Sequence, residues 1–135
     1  GYLSTAAGTL ARALYDLDRL DEANAWTRRA EELGASDDAF TQLVWRQVRA
    51  KVLARRGQYA ESERLAREAI AIGEETEFVT GQGDANADLA EVLLLGGRRD
   101  EAVAALETAV ERYERKGNIV SGERARARLA ELRET

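Results

Sequence analysis

Apolar and small residues return every three or four positions along nearly the whole chain, as in Leu3, Ala6, Ala7, Leu10, Ala11 and Leu14, or Leu89, Val92 and Leu93. No stretch alternates apolar with polar residues long enough to read as a strand. Carried by abundant Ala, Leu, Glu and Arg, this periodicity predicts helix almost everywhere. It breaks at Asp16-Leu17-Asp18-Arg19, at Gly57-Gln58 and at Gly96-Gly97. Longer punctuation falls at Gly34 to Asp38, at Gly73 to Thr76 with Gly81-Gln82-Gly83 beyond, and at Gly117-Asn118. Glycine after a helix supplies a left-handed C-cap, and Ser36, Asp37 or Asp38 is placed to cap the helix that follows. The breaks delimit seven helices, over about 3–17, 21–33, 38–56, 59–72, 80–96, 99–115 and 120–133.

The breaks belong to a longer period. Ala11, Ala50, Ala90 and Ala130 follow one another at intervals of 39, 40 and 40 residues. Leu14, Leu53 and Leu93 stand three residues after the first three. The turns arrive in register, Asp18 to Ala23 matching Gly57 to Ser62 and Gly97 to Ala102, and Ala30, Ala69 and Ala109 follow. A fourth copy is partial, Ala127-Arg128-Leu129-Ala130 mirroring Ala87-Asp88-Leu89-Ala90. Two antiparallel helices approach closely only where side chains are small, so Ala marks the crossing points and Leu fills the space beside them. One helix pair cannot bury both its faces, so such copies stack.

The Ala-x-x-Leu, Gly-x-Tyr-x-x-Ser/Ala and downstream Ala pattern resembles the tetratricopeptide repeat, with helices and loops longer than its usual unit of about 34 residues. The Pro that closes each repeat of that family is absent, and Arg99 replaces the usual turn aromatic. The resemblance implies an all-α, right-handed α-solenoid of antiparallel helix pairs. It would form a single domain over 1–135, with repeats at 3–33, 38–72 and 80–115 and a terminal helix at 120–133. Trp45 to Gly57, Asp88 to Leu93 and Tyr113 to Asn118 are similar to the C-terminal repeats of large bacterial signalling proteins. Those proteins join a class III nucleotide cyclase or a DNA-binding activator domain to an AAA-like or STAND ATPase and then to such repeats. What this likeness implies is a protein-interaction or regulatory module, or a spacer positioning catalytic domains; it carries no catalytic motif onto these residues.

Composition narrows the function classes. The chain has 135 residues, no Cys and no His, which removes thiolate and imidazole metal sites, disulfides and every histidine-based triad. The absence of Cys fits a cytoplasmic protein. No Met and an opening on Gly1-Tyr2-Leu3 read as a segment of a longer chain, and 18 Arg against 2 Lys, with abundant Ala, as a GC-rich bacterial source. Net charge is −5, which argues against nucleic acid or an anionic membrane as partner. The longest uncharged stretch, 1–11, falls far short of the ~20 apolar residues of a spanning helix and lacks the basic start of a signal peptide.

Candidate chemistry is sparse. Asp84-Ala85-Asn86-Ala87-Asp88 begins like a calcium loop, but Leu89 and Leu95 occupy the positions that need Gly and Glu, so it reads as a polar first helical turn. Gly81-Gln82-Gly83 has no preceding strand and reads as a flexible helix entry. Asp16, Asp18, Asp21 and Glu22 straddle a solvated turn where nothing raises a pKa, so neither catalysis nor a cofactor is expected. Arg124, Arg126, Arg128 and Arg133 alternate with Glu and no aromatic, which reads as a solvated outer face.

Three surfaces remain. The first helix of each pair lines the concave side in the resembled repeat. By register this places Arg12, Tyr15 and Asp16, then Gln47, Lys51 and Arg55, then Ala87, Glu91 and Leu94 along a groove for a protein or peptide partner. Glu31 replaces the Ile70 and Val110 of the other copies and Arg49 replaces their Leu10 and Leu89, which predicts a structural ion pair, with Arg46 as alternative partner. Helix 3–17 is apolar round most of its circumference, so Tyr2, Leu3, Ala6 and Leu10 are expected at a self-association or interdomain edge, as in a two-fold dimer.

Overall fold

The computed structural model describes residues 2–35, 38–76 and 79–134. Among them are seven α-helices and no strand: α1 (Tyr2–Asp16), α2 (Leu20–Leu33), α3 (Ala39–Arg55), α4 (Tyr59–Glu74), α5 (Val79–Leu95), α6 (Arg99–Lys116) and α7 (Ile119–Glu134). Each helix packs on the next, and α1 also meets α3 as α3 meets α5. The result is an α-solenoid of helix pairs, with α1, α3, α5 and α7 as the first members.

The tight turns are built alike. The N–H groups of Arg19, Gln58 and Arg98 return to the carbonyls of Leu14, Leu53 and Leu93 at 2.9 Å, closing each helix on the leucine that recurs in the sequence. Such closure needs a left-handed residue between, and Asp18 (φ 63°), Gly57 (φ 80°) and Gly97 (φ 77°) occupy the same place in register. Asp38 caps α3, its Oδ1 accepting from the Thr41 N–H at 3.2 Å; Ser36 and Asp37 lie outside the described residues. Burial pushes the Asp38 carboxyl up, but hydrogen bonds from the Thr41 hydroxyl and N–H and from the Ser4 hydroxyl outweigh it and hold the pKa at about 2.

The recurring small residues sit at the crossings. Ala11, Ala50 and Ala90 are at most 1% exposed, and Ala30, Ala69 and Ala109 are fully buried. Leu43, Val48, Val52 and Leu93 fill the space between helices, each burying side-chain area worth roughly 1.5–3 kcal/mol. Ala130, the fourth of the series, is exposed, since among the described residues no helix packs on that side of α7.

One stretch departs from expectation. Gly81-Gln82-Gly83 is no flexible entry but lies inside α5, which starts at Val79, so Asp84 falls beyond the first turn. Gly83 is there for close approach: a Cβ on it would stand 2.6 Å from Cε1 of Tyr113. Gln82 is buried too, and its Nε2 donates to the Gly73 carbonyl at 2.9 Å, tying α4 to α5.

Candidate binding groove

The first helices of the pairs, with part of α6, enclose a groove of about 960 Å³. Each helix contributes residues about one turn apart: Arg12 and Asp16 from α1, Lys51 and Arg55 from α3, Asp84, Asp88 and Glu91 from α5, and Ser121, Arg124 and Arg128 from α7. Ala87, Leu94 and Leu95 of α5, Leu106 of α6 and Ala125 of α7 give it an apolar floor.

Among the described residues its α1–α3 side is largely paired internally, although Arg12 Nε and Gln47 Nε2 are buried there without a hydrogen-bond partner and Asp16 is exposed. Arg12 Nη2 donates to Gln47 Oε1 at 2.9 Å, and Arg12 Nη1 stands 4.0 Å from Asp84 Oδ2. Lys51 Nζ donates to Asp88 Oδ1 at 3.2 Å and lies 4.7 Å from the centroid of the Tyr15 ring. Burial pulls the Lys51 ammonium down, yet the Asp88 and Glu91 carboxylates prevail and leave its pKa above the ordinary lysine value. Arg55 reaches across to Asp18. The Tyr15 hydroxyl donates to Glu91, and the Tyr113 hydroxyl to Asp84 at 2.5 Å. Burial, then the carboxylate each one faces, pushes both phenols far above their usual range. Burial likewise raises Asp84 against the pull of the Tyr113 hydroxyl and Arg12.

Of the residues expected along the groove, Arg12, Asp16, Lys51, Arg55, Glu91 and Leu94 line it. Tyr15 and Gln47 do not. Both are buried beneath it and support its walls, Tyr15 holding Glu91 and Gln47 holding Arg12. α1 and α3 pack together there, with Arg12 of one helix on Gln47 of the other. Sequence reasoning missed Asp84, Asp88, Tyr113, Ser121, Arg124 and Arg128. The spacing of Asp84, Asp88 and Glu91 at i, i+4 and i+7 on one helical face was the available signal. Arg124 and Arg128 are exposed, but they belong to the groove wall and not to an outer face.

Elsewhere, Arg49 Nη2 donates to Glu31 Oε1 at 2.9 Å, and its Nε donates to Thr27 Oγ1 at 3.2 Å. Glu31 is 48% exposed, so the pair sits at the rim of the α2–α3 seam and not within it. Arg46 turns away to Glu68 at 3.1 Å, and both arginines flank the Trp45 ring within 4.4 Å. Tyr2, Leu3, Ala6 and Leu10 are all exposed on α1. Among the described residues no acidic cluster is arranged to hold a metal ion, and no helix is long and apolar enough to cross a membrane.

A tetratricopeptide-repeat family model matches residues 40–115, more than half of the chain, and a second matches residues 4–29. The chain belongs to the tetratricopeptide-repeat family. The two matches divide it where the fold does, the first spanning α3 to α6 and the second falling on α1 and α2. No curated protein shows significant similarity to the chain. Tetratricopeptide repeats generally mediate protein–protein interaction and are typically non-catalytic. The groove lies on the side to which the first helices of the pairs turn.

Proposed function

We propose that this chain is a non-catalytic protein-interaction module that takes a peptide or protein segment in the groove between α1 and α7, as a regulatory part of a larger cytoplasmic bacterial signalling protein of the cyclase or AAA/STAND ATPase kind. The observation that carries the reading is the groove itself, with charged walls over an apolar floor of Leu94, Leu95 and Leu106. Affinity capture with the chain and with a Leu94→Asp, Leu95→Asp variant tests it. A partner or parent-chain segment held by the first and lost by the second supports it. Retention by both overturns it and leaves a spacer without a ligand of its own.

A second reading concerns α1. Ala6 and Ala13 are exposed, whereas their register counterparts Trp45 and Ala85, and Val52 and Val92, are buried. The preceding pair covers that face in the later repeats. In the first repeat it lies open, with Leu3 65% and Leu10 40% exposed. We infer that it pairs with a second copy, whose two-fold-related α1 runs antiparallel as α2 does to α3. Light scattering should then give more than 14.9 kDa, and Leu3→Glu with Leu10→Glu should return that value. A clean monomer of the unaltered chain would end this reading.

A further inference from the structure

We infer that a second copy lays its α1 antiparallel on the open face of α1, with Leu10 against Leu10. Leu3 then meets the partner subunit's Leu17, the partner subunit's Tyr2 completes the groove end at Asp16, and both grooves open on one side of the dimer. The inference rests on the self-association reading above, to which it adds a register and a residue for the groove.

The open face is a stripe of Leu3, Ala6, Leu10, Ala13 and Leu17, all exposed. It reads leucine, alanine, leucine, alanine, leucine from either end, with the outer leucines each seven residues from Leu10. Reversal about Leu10 therefore returns leucine to leucine and brings each alanine within one position of the other. Small residues then lie where the two helices must approach. Antiparallel packing also opposes the two helix dipoles. The inner repeats show that a preceding helix pair does not call for such a stripe. Leu3 stands in register with Gln42 and Gln82, and Leu17 with Arg56 and Gly96. Those glutamines hold the connection from the pair before: Gln42 Nε2 donates to the Ala35 carbonyl at 3.1 Å and Gln82 Nε2 to the Gly73 carbonyl at 2.9 Å. A leucine donates no such bond and suits an apolar neighbour instead.

The groove gives the partner helix a second contact. Around α1, Gly8 lies opposite the stripe and against Val44 of α3, and Asp16 lies about 100° to one side of the stripe, in the groove wall. Tyr2 lies on that same side at the other end of the helix and is 85% exposed. A two-fold axis that reverses α1 and keeps stripe on stripe runs out through the groove mouth, so both grooves face the same way. It sets the partner subunit's Tyr2 two positions from the residue opposite Asp16, about 3 Å along the helix. Among the described residues Asp16 has no side-chain partner in its own copy. Two other groove carboxylates already show the contact it lacks: Glu91 takes the Tyr15 hydroxyl from α1, and Asp84 takes the Tyr113 hydroxyl from α6.

The chain has no Cys, so introduced thiols report the register without background. Under mild oxidation Leu10→Cys should give a covalent dimer. Leu3→Cys and Leu17→Cys should each stay uncrosslinked alone and crosslink when the two are mixed. Ala6→Cys mixed with Ala13→Cys replaces them if light scattering shows a leucine variant to be monomeric. Tyr2→Phe and Asp16→Ala should each weaken the dimer about three- to tenfold, and the double variant should be no weaker than either alone. A covalent dimer of Leu3→Cys alone means parallel helices with grooves on opposite sides, and overturns the inference. Additive losses in the double variant overturn the Tyr2–Asp16 contact, and the inference with it. A dimer by light scattering that none of these thiols crosslinks overturns this register while self-association stands. A clean monomer of the unaltered chain overturns both.

Discussion

Replacing Gly83 with alanine asks whether close approach or helix propensity governs α5. By propensity alone the change helps, because Ala is favoured over Gly in a helix interior by about 1 kcal/mol. The packing says otherwise. The new methyl would stand 2.6, 2.7 and 3.0 Å from Cε1, Cδ1 and Cζ of Tyr113, a ring that is 4% exposed. The ring cannot swing freely, since its hydroxyl is held by Asp84 and its Cβ lies against Gly122 of α7. Overpacking of this kind costs about 1–3 kcal/mol, and loosening a hydrogen bond to the partly exposed, charged Asp84 carboxylate adds up to about 1.5–3 kcal/mol. The net expectation after the propensity gain is a loss of about 1.5–5 kcal/mol, or roughly 5–20 °C in melting temperature for a chain of this size. Urea unfolding followed by circular dichroism measures it. Gly73→Ala is the control: its methyl would meet nothing nearer than 3.5 Å, so it should be neutral or stabilising by up to about 1 kcal/mol. In a Tyr113→Leu background Gly83→Ala should lose most of its cost, giving a coupling above about 1 kcal/mol. Wild-type stability in the Gly83→Ala protein would refute the claim that Gly83 exists to admit the Tyr113 ring.

Gly97→Ala should cost about 1–2 kcal/mol although nothing lies within 4 Å of the added Cβ, because the backbone there is left-handed; a denaturant midpoint equal to wild type would count against this. Asp38 has a folded pKa of about 2, below its ordinary value, so its contribution is complete above about pH 4 and disappears as pH falls through 2. Asp38→Asn should therefore be less stable than wild type at pH 7 and equal to it near pH 2 in paired thermal melts. Glu31→Gln should cost no more than about 1 kcal/mol, since the Arg49 pair is at the rim and Arg49 keeps Thr27 and Trp45; a larger loss by urea unfolding would mean that the seam is drier than it looks.

The solenoid was legible because its signals are redundant. Ala11, Ala50 and Ala90 recur at intervals of 39 and 40 residues, the turns recur at the same intervals, and the leucines that accept the turn hydrogen bonds are the same leucines that mark the period. Glycine was less legible, because one residue type serves two ends. At Gly57 and Gly97 it supplies a left-handed turn, and at Gly83 it makes room for a ring from α6. Only the position of Tyr113, some thirty residues away, tells these apart. The groove was half legible for a related reason: helical register gives the direction of a side chain but not the depth of the neighbour. Thus Tyr15 and Gln47 sank beneath the wall, and Arg124 and Arg128, on a helix whose alternating charges look like ordinary solvated surface, became part of it.

The hydrogen bond from Tyr15 to Glu91 joins the first helix to the fifth, 76 residues apart. Stacked repeats that touch only their neighbours behave as a soft spring, each joint opening independently of the next. Here the inner side of the spring is clasped. Straightening the coil by pulling its two ends must break this bond and draw Arg12 away from Asp84 before either joint of the second repeat can hinge. The chain is thereby stiffer on its concave side than on its back, and its curvature is held by its own side chains.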